Sequence, residues 1–147
     1  MIELDRGFVD DMFAHALEEN PIECCGVVAL DGTRSVKLYR AANSEASPFR
    51  YNVETKDLLR ISREIDNNDW AYCIYHSHTG TEARPSPTDI RMAELWPEAY
   101  FVVISLAEDQ AFANENGEAR QGLVMRAFTI RDGEVREEGI RVVPGES

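Results

Sequence analysis

A chain of 147 residues suits one folded domain, long enough to bury about 68–70% of the surface its unfolded form exposes, so it needs neither a disulfide nor a structural metal to fold. With 27 Asp and Glu against 15 Lys and Arg, its net charge of −12 argues against nucleic acid and anionic membrane surfaces as partners, because phosphate binding draws on basic patches. No apolar run approaches the ~18 residues of a membrane span, and three cysteines, an odd number without Cys-x-x-Cys spacing, frame neither a disulfide network nor a cysteine zinc site.

Met1 to Arg6 is charged at once and offers no signal peptide, which with the cysteine usage points to a reducing, cytoplasmic setting. Phe8, Met12, Phe13, Ala16 and Leu17 recur at helical spacing and predict a first helix ending before Asn20-Pro21, with His15 on it as a surface or boundary residue. Residues 24–30 and 33–40 predict two strands joined as a hairpin at Asp31-Gly32. Cys24 and Cys25 should face opposite sides of the first of these, and with Cys73 they read as small buried hydrophobes. Residues 43–52, rich in Ser, Pro and polar side chains, predict a loop, and Leu58, Ile61 and Ile65 mark a second helix over 55–67. Trp70 to Tyr75 is aromatic, β-branched and uncharged, a buried strand running into His76-Ser77-His78. Ser86 then reads as the N-cap and Pro87 as the first position of a helix that continues through Ile90, Met92, Ala93 and Leu95 and stops near Pro97. Residues 100–106 predict another strand, 107–121 an acidic and polar loop, and 122–130 with 134–143 a closing hairpin around Asp132-Gly133. Helices interspersed among strands favour an α/β fold, one domain over 1–147 with a central mixed β-sheet flanked by helices.

The chemistry concentrates in His-x-His-x7-Ser-x2-Asp, from His76 to Asp89. Side chains alternate along a strand, so His76 and His78 point the same way and one ion can bridge both rings, while Ser77 points opposite. Asp89 falls in the first turn of the following helix, where a third ligand can meet them. Two imidazoles, a carboxylate and a fourth position left for water are what a catalytic zinc ion asks for. Ser86-x-x-Asp89 also satisfies a plain capping-box reading, in which both side chains serve backbone N–H groups. A hydrolytic site needs a proton acceptor as well, and Glu23 is the candidate: it stands at the entrance of the apolar run 24–30, where an acid without a partner is costly. A solvated loop residue after the first helix is the competing reading of Glu23.

Glu23 with Gly26 in a Glu-x-Cys-Gly context, then His76-Ser77-His78, Ser86 and Asp89, resembles the signature of the JAMM (MPN+) metallopeptidases, and the resemblance spans nearly the whole chain. It implies the JAMM/MPN architecture, which is cytidine-deaminase-like, with zinc held by His76, His78 and Asp89, Glu23 as general base and then acid, and Ser86 donating to the oxyanion. Thr79 departs from the proline that many members carry after the second histidine, and it removes no ligand. The run from His76 to Asp89 is similar to that of the bacterial members that release cysteine from the C-terminal Gly-Gly of a ubiquitin-like sulfur carrier. Residues 43–52 and 107–121 would then flank a groove for the extended tail, which would lie beside a strand edge, with a steric filter that admits only Gly-Gly. An isopeptidase that removes a ubiquitin-like modifier from protein lysines is the alternative, and a non-catalytic scaffold of the same fold a third. Monomer and homodimer both stay open. A deaminase zinc site is excluded, since neither His-x-Glu nor Pro-Cys-x-x-Cys is present.

Overall fold

In a computed structural model, residues 1–47, 51–107, 111–113, 119–121 and 124–145 are described. The chain begins with β1 (Ile2–Asp5) and α1 (Arg6–Glu19), then the hairpin of β2 (Cys25–Asp31) and β3 (Arg34–Ala41), then α2 (Thr55–Asn67) and β4 (Ala71–His78). After β4 come α3 (Pro87–Met92), a 3-10 turn (Ala93–Leu95), β5 (Tyr100–Ser105), the short β6 (Ala111–Ala113) and β7 (Ala119–Gln121), β8 (Val124–Arg131), β9 (Glu134–Glu138) and β10 (Ile140–Val143).

Eight of these strands make one mixed sheet in the order β10-β1-β3-β2-β4-β5-β8-β9. β4 and β5 run parallel, and β2–β3, β2–β4, β5–β8 and β8–β9 run antiparallel. Central strands covered on both faces should read as continuous apolar runs, and Gly26 to Leu30 and Cys73 to Tyr75 do. On one face, Val9, Met12, Phe13 and Ala16 of α1 pack against Val28, Tyr75, Val102 and Ile104. On the other, Ile61 and Ile65 of α2 and Ala93 after α3 pack against Val27, Ala29, Ile74 and Phe101. Cys24 falls in the first of these cores and Cys25 in the second, as strand alternation requires, and all three cysteines are free and buried. The α/β fold with its mixed sheet between helices is therefore the one expected.

Four expectations need correction. Residues 134–143 are not one strand: Gly139 separates β9, which borders β8, from β10, which leaves for the opposite edge and pairs in parallel with β1. Arg136, Glu137 and Glu138 suit a solvated edge, whereas Ile140 and Val142 are buried beside Ile2 and Leu4. β1 itself was not foreseen, because two apolar residues in four carry no periodic signal of their own. The helix after Ser86 keeps regular form only to Met92 and tightens into a 3-10 turn, with Trp96 driven out of the helical region ahead of Pro97 (φ −135°, ψ 65°). Part of the expected loop 107–121 is a small hairpin, Ala111 pairing with Gln121 and Ala113 with Ala119, while 108–110 and 114–118 lie outside the described residues, as do 48–50 of the other loop and Gly122 and Leu123 at the start of the closing hairpin. His15 is also not at the surface; it is 3% exposed, and its Nδ1 shares a 2.8 Å hydrogen bond with the Tyr75 hydroxyl on the sheet face that α1 covers.

Candidate metal centre

The C-terminal end of β4 delivers His76 and His78 to one face, both buried. Their Nε2 atoms lie 3.1 Å apart, and Asp89 Oδ2 stands 3.0 Å from the first and 3.1 Å from the second. Asp89 reaches them because Ser86 ends the connecting loop with Pro87 behind it, so α3 starts at the mouth of the strand. The capping box is present too: Ser86 Oγ accepts from Asp89 N at 3.1 Å, and Ser86 N donates to Asp89 Oδ2 at 2.8 Å. The two readings of Ser-x-x-Asp are thus compatible, since the same oxygen, Oδ2, that accepts from Ser86 N also faces the two rings.

A cation fits between these three atoms. His78 Nδ1 lies 2.8 Å from the Glu82 carbonyl, which can only accept, so in the neutral ring the proton sits on Nδ1 and the Nε2 lone pair is directed inward. Asp89 Oδ2 is an acceptor as well, so with His78 neutral only one ring proton, on His76, is left for a triangle of three close contacts. An ion bonded at ~2.0–2.1 Å with tetrahedral angles would hold its ligand atoms about 3.4 Å apart, close to the spacing observed. Glu23, at the head of β2, offers a carboxylate oxygen within 4.8 Å of a nitrogen of each ring, one step behind Asp89. Glu23 Oε1 and His76 Nδ1 are buried and find no hydrogen-bond partner among the described residues. A buried carboxylate oxygen without a partner is costly unless a ligand completes it.

The electrostatics agree. Burial pushes the Glu23 carboxyl up to about 8, with His78 opposing and nearby Asp89 adding to the rise. Burial would raise Asp89 too, yet His76, His78 and the Ser86 N–H hold it well below the usual carboxylate range. Burial lowers His76 more than Asp89 can restore. At His78 the burial effect is outweighed by the Asp89 hydrogen bond and the Glu82 carbonyl, and its pKa rises. Two carboxylates driven apart in this way, one favouring its ionised form and one holding its proton toward neutrality, are suited to the separate tasks of a ligand and a proton carrier.

The structure brings Glu23, His76, His78 and Asp89 together, with Ser86 attached to Asp89. Four further contributors escaped the sequence. Ser77, facing away from the rings, accepts from Cys24 N at 2.8 Å while Ser77 N donates to Cys24 O at 3.1 Å, which clamps the start of β2 to the end of β4. Asn43 Nδ2 donates to Glu23 O at 3.0 Å and Glu23 N to Ser47 O at 2.9 Å, so Glu23 is fixed by its backbone on both sides. Tyr51 stacks on His76 with centroids 4.2 Å apart and planes 19° from parallel. For Ser77, the signal available was a polar residue in a buried strand, which must have a partner. Tyr51 gave a fainter one, an aromatic ring at the end of a polar loop.

The profile of a family described as prokaryotic homologs of the JAB domain matches residues 5–119. The chain is 35% identical over 138 residues to a CysO-cysteine peptidase of Mycobacterium tuberculosis, covering 92% of this chain and 86% of that protein. It is 31% identical over 104 residues to a desampylase of Haloferax volcanii, covering 65% of this chain and 74% of the relative. The solution structure of a Desulfitobacterium hafniense protein superposes with a TM-score of 0.74 at 28% identity, covering 100% of this chain and 94% of the other.

Proposed function

From the premise that the chain belongs to the prokaryotic homologues of the JAB domain, within the JAMM/MPN+ metallopeptidases, we propose that it is a zinc peptidase that cuts after the C-terminal Gly-Gly of a ubiquitin-like sulfur carrier and releases cysteine. Membership makes it a hydrolase of peptide bonds; the metal's identity, the carrier and the amine released are the proposal. The observation that carries it is the convergence of the Nε2 atoms of His76 and His78 on Oδ2 of Asp89, with a buried Glu23 carboxylate oxygen within 4.8 Å of a nitrogen of each ring. Their imidazole and carboxylate donors suit a zinc ion, which when bound would polarise the scissile carbonyl and acidify a water.

Each residue then has a task. His76, His78 and Asp89 hold the ion, and the Glu82 carbonyl and the Ser86 N–H fix the orientation of two of those three. Glu23 takes the proton of the attacking water and returns it to the leaving amine; a carboxyl with its pKa near 8 in the metal-free site is tuned for holding that proton near neutral pH. Ser86 already accepts the Asp89 N–H, so its hydroxyl proton is left to donate to the carbonyl oxygen as charge develops there. Ser77 and Tyr51 position the base and one ring. Three free, buried cysteines suit a reducing, cytoplasmic setting.

Mass spectrometry decides the substrate. Metal-loaded protein incubated with a Gly-Gly-Cys-ended carrier should remove the mass of one cysteine residue and leave a lysine-linked conjugate intact. Cleavage of the conjugate alone would replace this reading with the isopeptidase alternative, which the likeness to the desampylase favours.

A further inference from the structure

The loop between His78 and Asp89 is held to the sheet at several points. Ser105 Oγ donates to the Thr81 carbonyl at 2.6 Å, His78 Nδ1 to the Glu82 carbonyl at 2.8 Å, and Arg84 N to the same carbonyl at 2.9 Å, a tight three-residue turn about Ala83. Ala83 is fully buried against Val103, Val124 and Phe128. The turn that sinks Ala83 leaves Arg84 exposed, two residues before Ser86. Two residues span at most about 7 Å, roughly the length of an arginine side chain, so the Arg84 guanidinium can reach what the Ser86 hydroxyl touches.

A second arginine lies on the sheet face that receives this turn. Strand register sets His76, Val103 and Arg126 in one row across β4, β5 and β8, and partners in register share a face. Arg126 lies between Val124 and Phe128 on that face, so the side chains that receive Ala83 surround it. Four other cations of this acidic chain face carboxylates, Arg34 facing Glu3, Lys37 facing Glu64, Arg40 facing Asp11 and Glu18, and Arg60 facing Asp57, while Arg131 bonds the Ala99 carbonyl and Arg91 the Thr88 hydroxyl. Among the described residues, Arg84 and Arg126 form no ion pair. Two guanidinium groups beside one turn repel each other and gain from an anion between them.

We infer that Arg84, with Arg126 beside it, binds the α-carboxylate of the residue the enzyme releases, and so selects a free C-terminal amino acid over a lysine side chain as the leaving amine; the inference rests on the peptidase reading above. A released amino acid carries a carboxylate on the carbon next to the scissile nitrogen. That group must enter a site that already holds Glu23 and Asp89 in a chain of net charge −12, and it needs a cation to do so. A lysine leaving group has no charge at that position. Guanidinium is suited to the task because it grips a carboxylate with two parallel hydrogen bonds.

The test uses the full metal-loaded chain and two carriers, one ending in Gly-Gly-Cys with a free carboxylate and one ending in the same residue as an amide. A charge-assisted pair should give the free acid a KM lower by about tenfold or more in the wild type. Arg84→Gln should bring the acid to the level of the amide, and Arg84→Lys should restore part of the preference. Calorimetric titration of the metal-free proteins should show the same preference and the same loss without turnover. Arg126→Gln should weaken the acid to a smaller degree. Acid and amide handled alike by the wild type, or a loss in Arg84→Gln that is equal for both, would overturn the assignment while leaving the peptidase reading intact. Cleavage of neither carrier, with cleavage of a lysine-linked conjugate, would remove both.

Discussion

Glu23 is where burial and function meet most sharply. In the metal-free protein its carboxyl keeps a proton to about pH 8, whereas in the unfolded chain it gives it up near 4.5. Folding therefore takes up a proton across that window, and stability should fall as pH rises from about 4.5 to about 8, then level off. Glu23→Gln keeps the shape and removes the titration, so the difference in denaturation midpoint between metal-free wild type and variant should narrow at low pH and widen toward pH 8; a difference independent of pH would discard the buried-acid account. The same variant should bind metal as the wild type does but lose about 10²–10⁴-fold in kcat, the usual worth of a general base. His78→Ala should lose both metal, assayed by atomic absorption, and turnover. Glu23→Gln that turned over at the wild-type rate would assign the base elsewhere.

At the level of elements, the site depends on how β2 lies against β4. Gly26 pairs with Tyr75, and a Cβ at position 26 would come within 2.4 Å of the Tyr75 ring. The ring needs that space because its hydroxyl is bonded to His15 on α1, and the next residue along β4 is His76. Gly26→Ala should therefore cost about 1–3 kcal/mol, as overpacking of a core does, and weaken metal binding by displacing the end of β4. An unchanged urea midpoint would mean the ring has room to move. Ser77→Ala has a different signature: it strands the buried Cys24 N–H, at about 1–3 kcal/mol, and loosens the attachment of Glu23. Turnover should drop further than metal affinity does, because His76, His78 and Asp89 are oriented by other contacts.

For the molecule as a whole, the decisive pairing is between its ends. β10 closes one edge of the sheet by bonding to β1, and Ile140 and Val142 enter the same core as Ile2, Leu4 and α1. A chain ending at Gly139 should lose several kcal/mol of stability and expose β1 as an edge, giving a lower melting temperature and a tendency to associate. Retention of the full melting temperature would show that β10 is an accessory. Glu23, just ahead of β2, and the two histidines of β4 sit near the middle of this sheet, at the fourth and fifth strands counted from the β10 edge. Fixing its edges keeps the spacing of the site constant.

Of the candidate-site residues, His76, His78, Asp89 and Ser86 were legible in the chain because they obey local rules, two-residue alternation on a strand and a capping pair at a helix start, whereas Glu23, an acid where an apolar run begins, read equally as a solvated loop residue until the family resemblance singled it out. The helices, the β2–β3 hairpin and the buried β4 followed from periodicity for the same reason. Ser77 as a clamp, Tyr51 on the His76 ring, the burial of His15 and the crossing of β10 to β1 are all relations between segments far apart in sequence. Local propensity fixes which way a side chain faces along its own element, but only the packed sheet decides what stands opposite it, and there the cost of an unpartnered buried polar group or an uncovered apolar strand sets the answer.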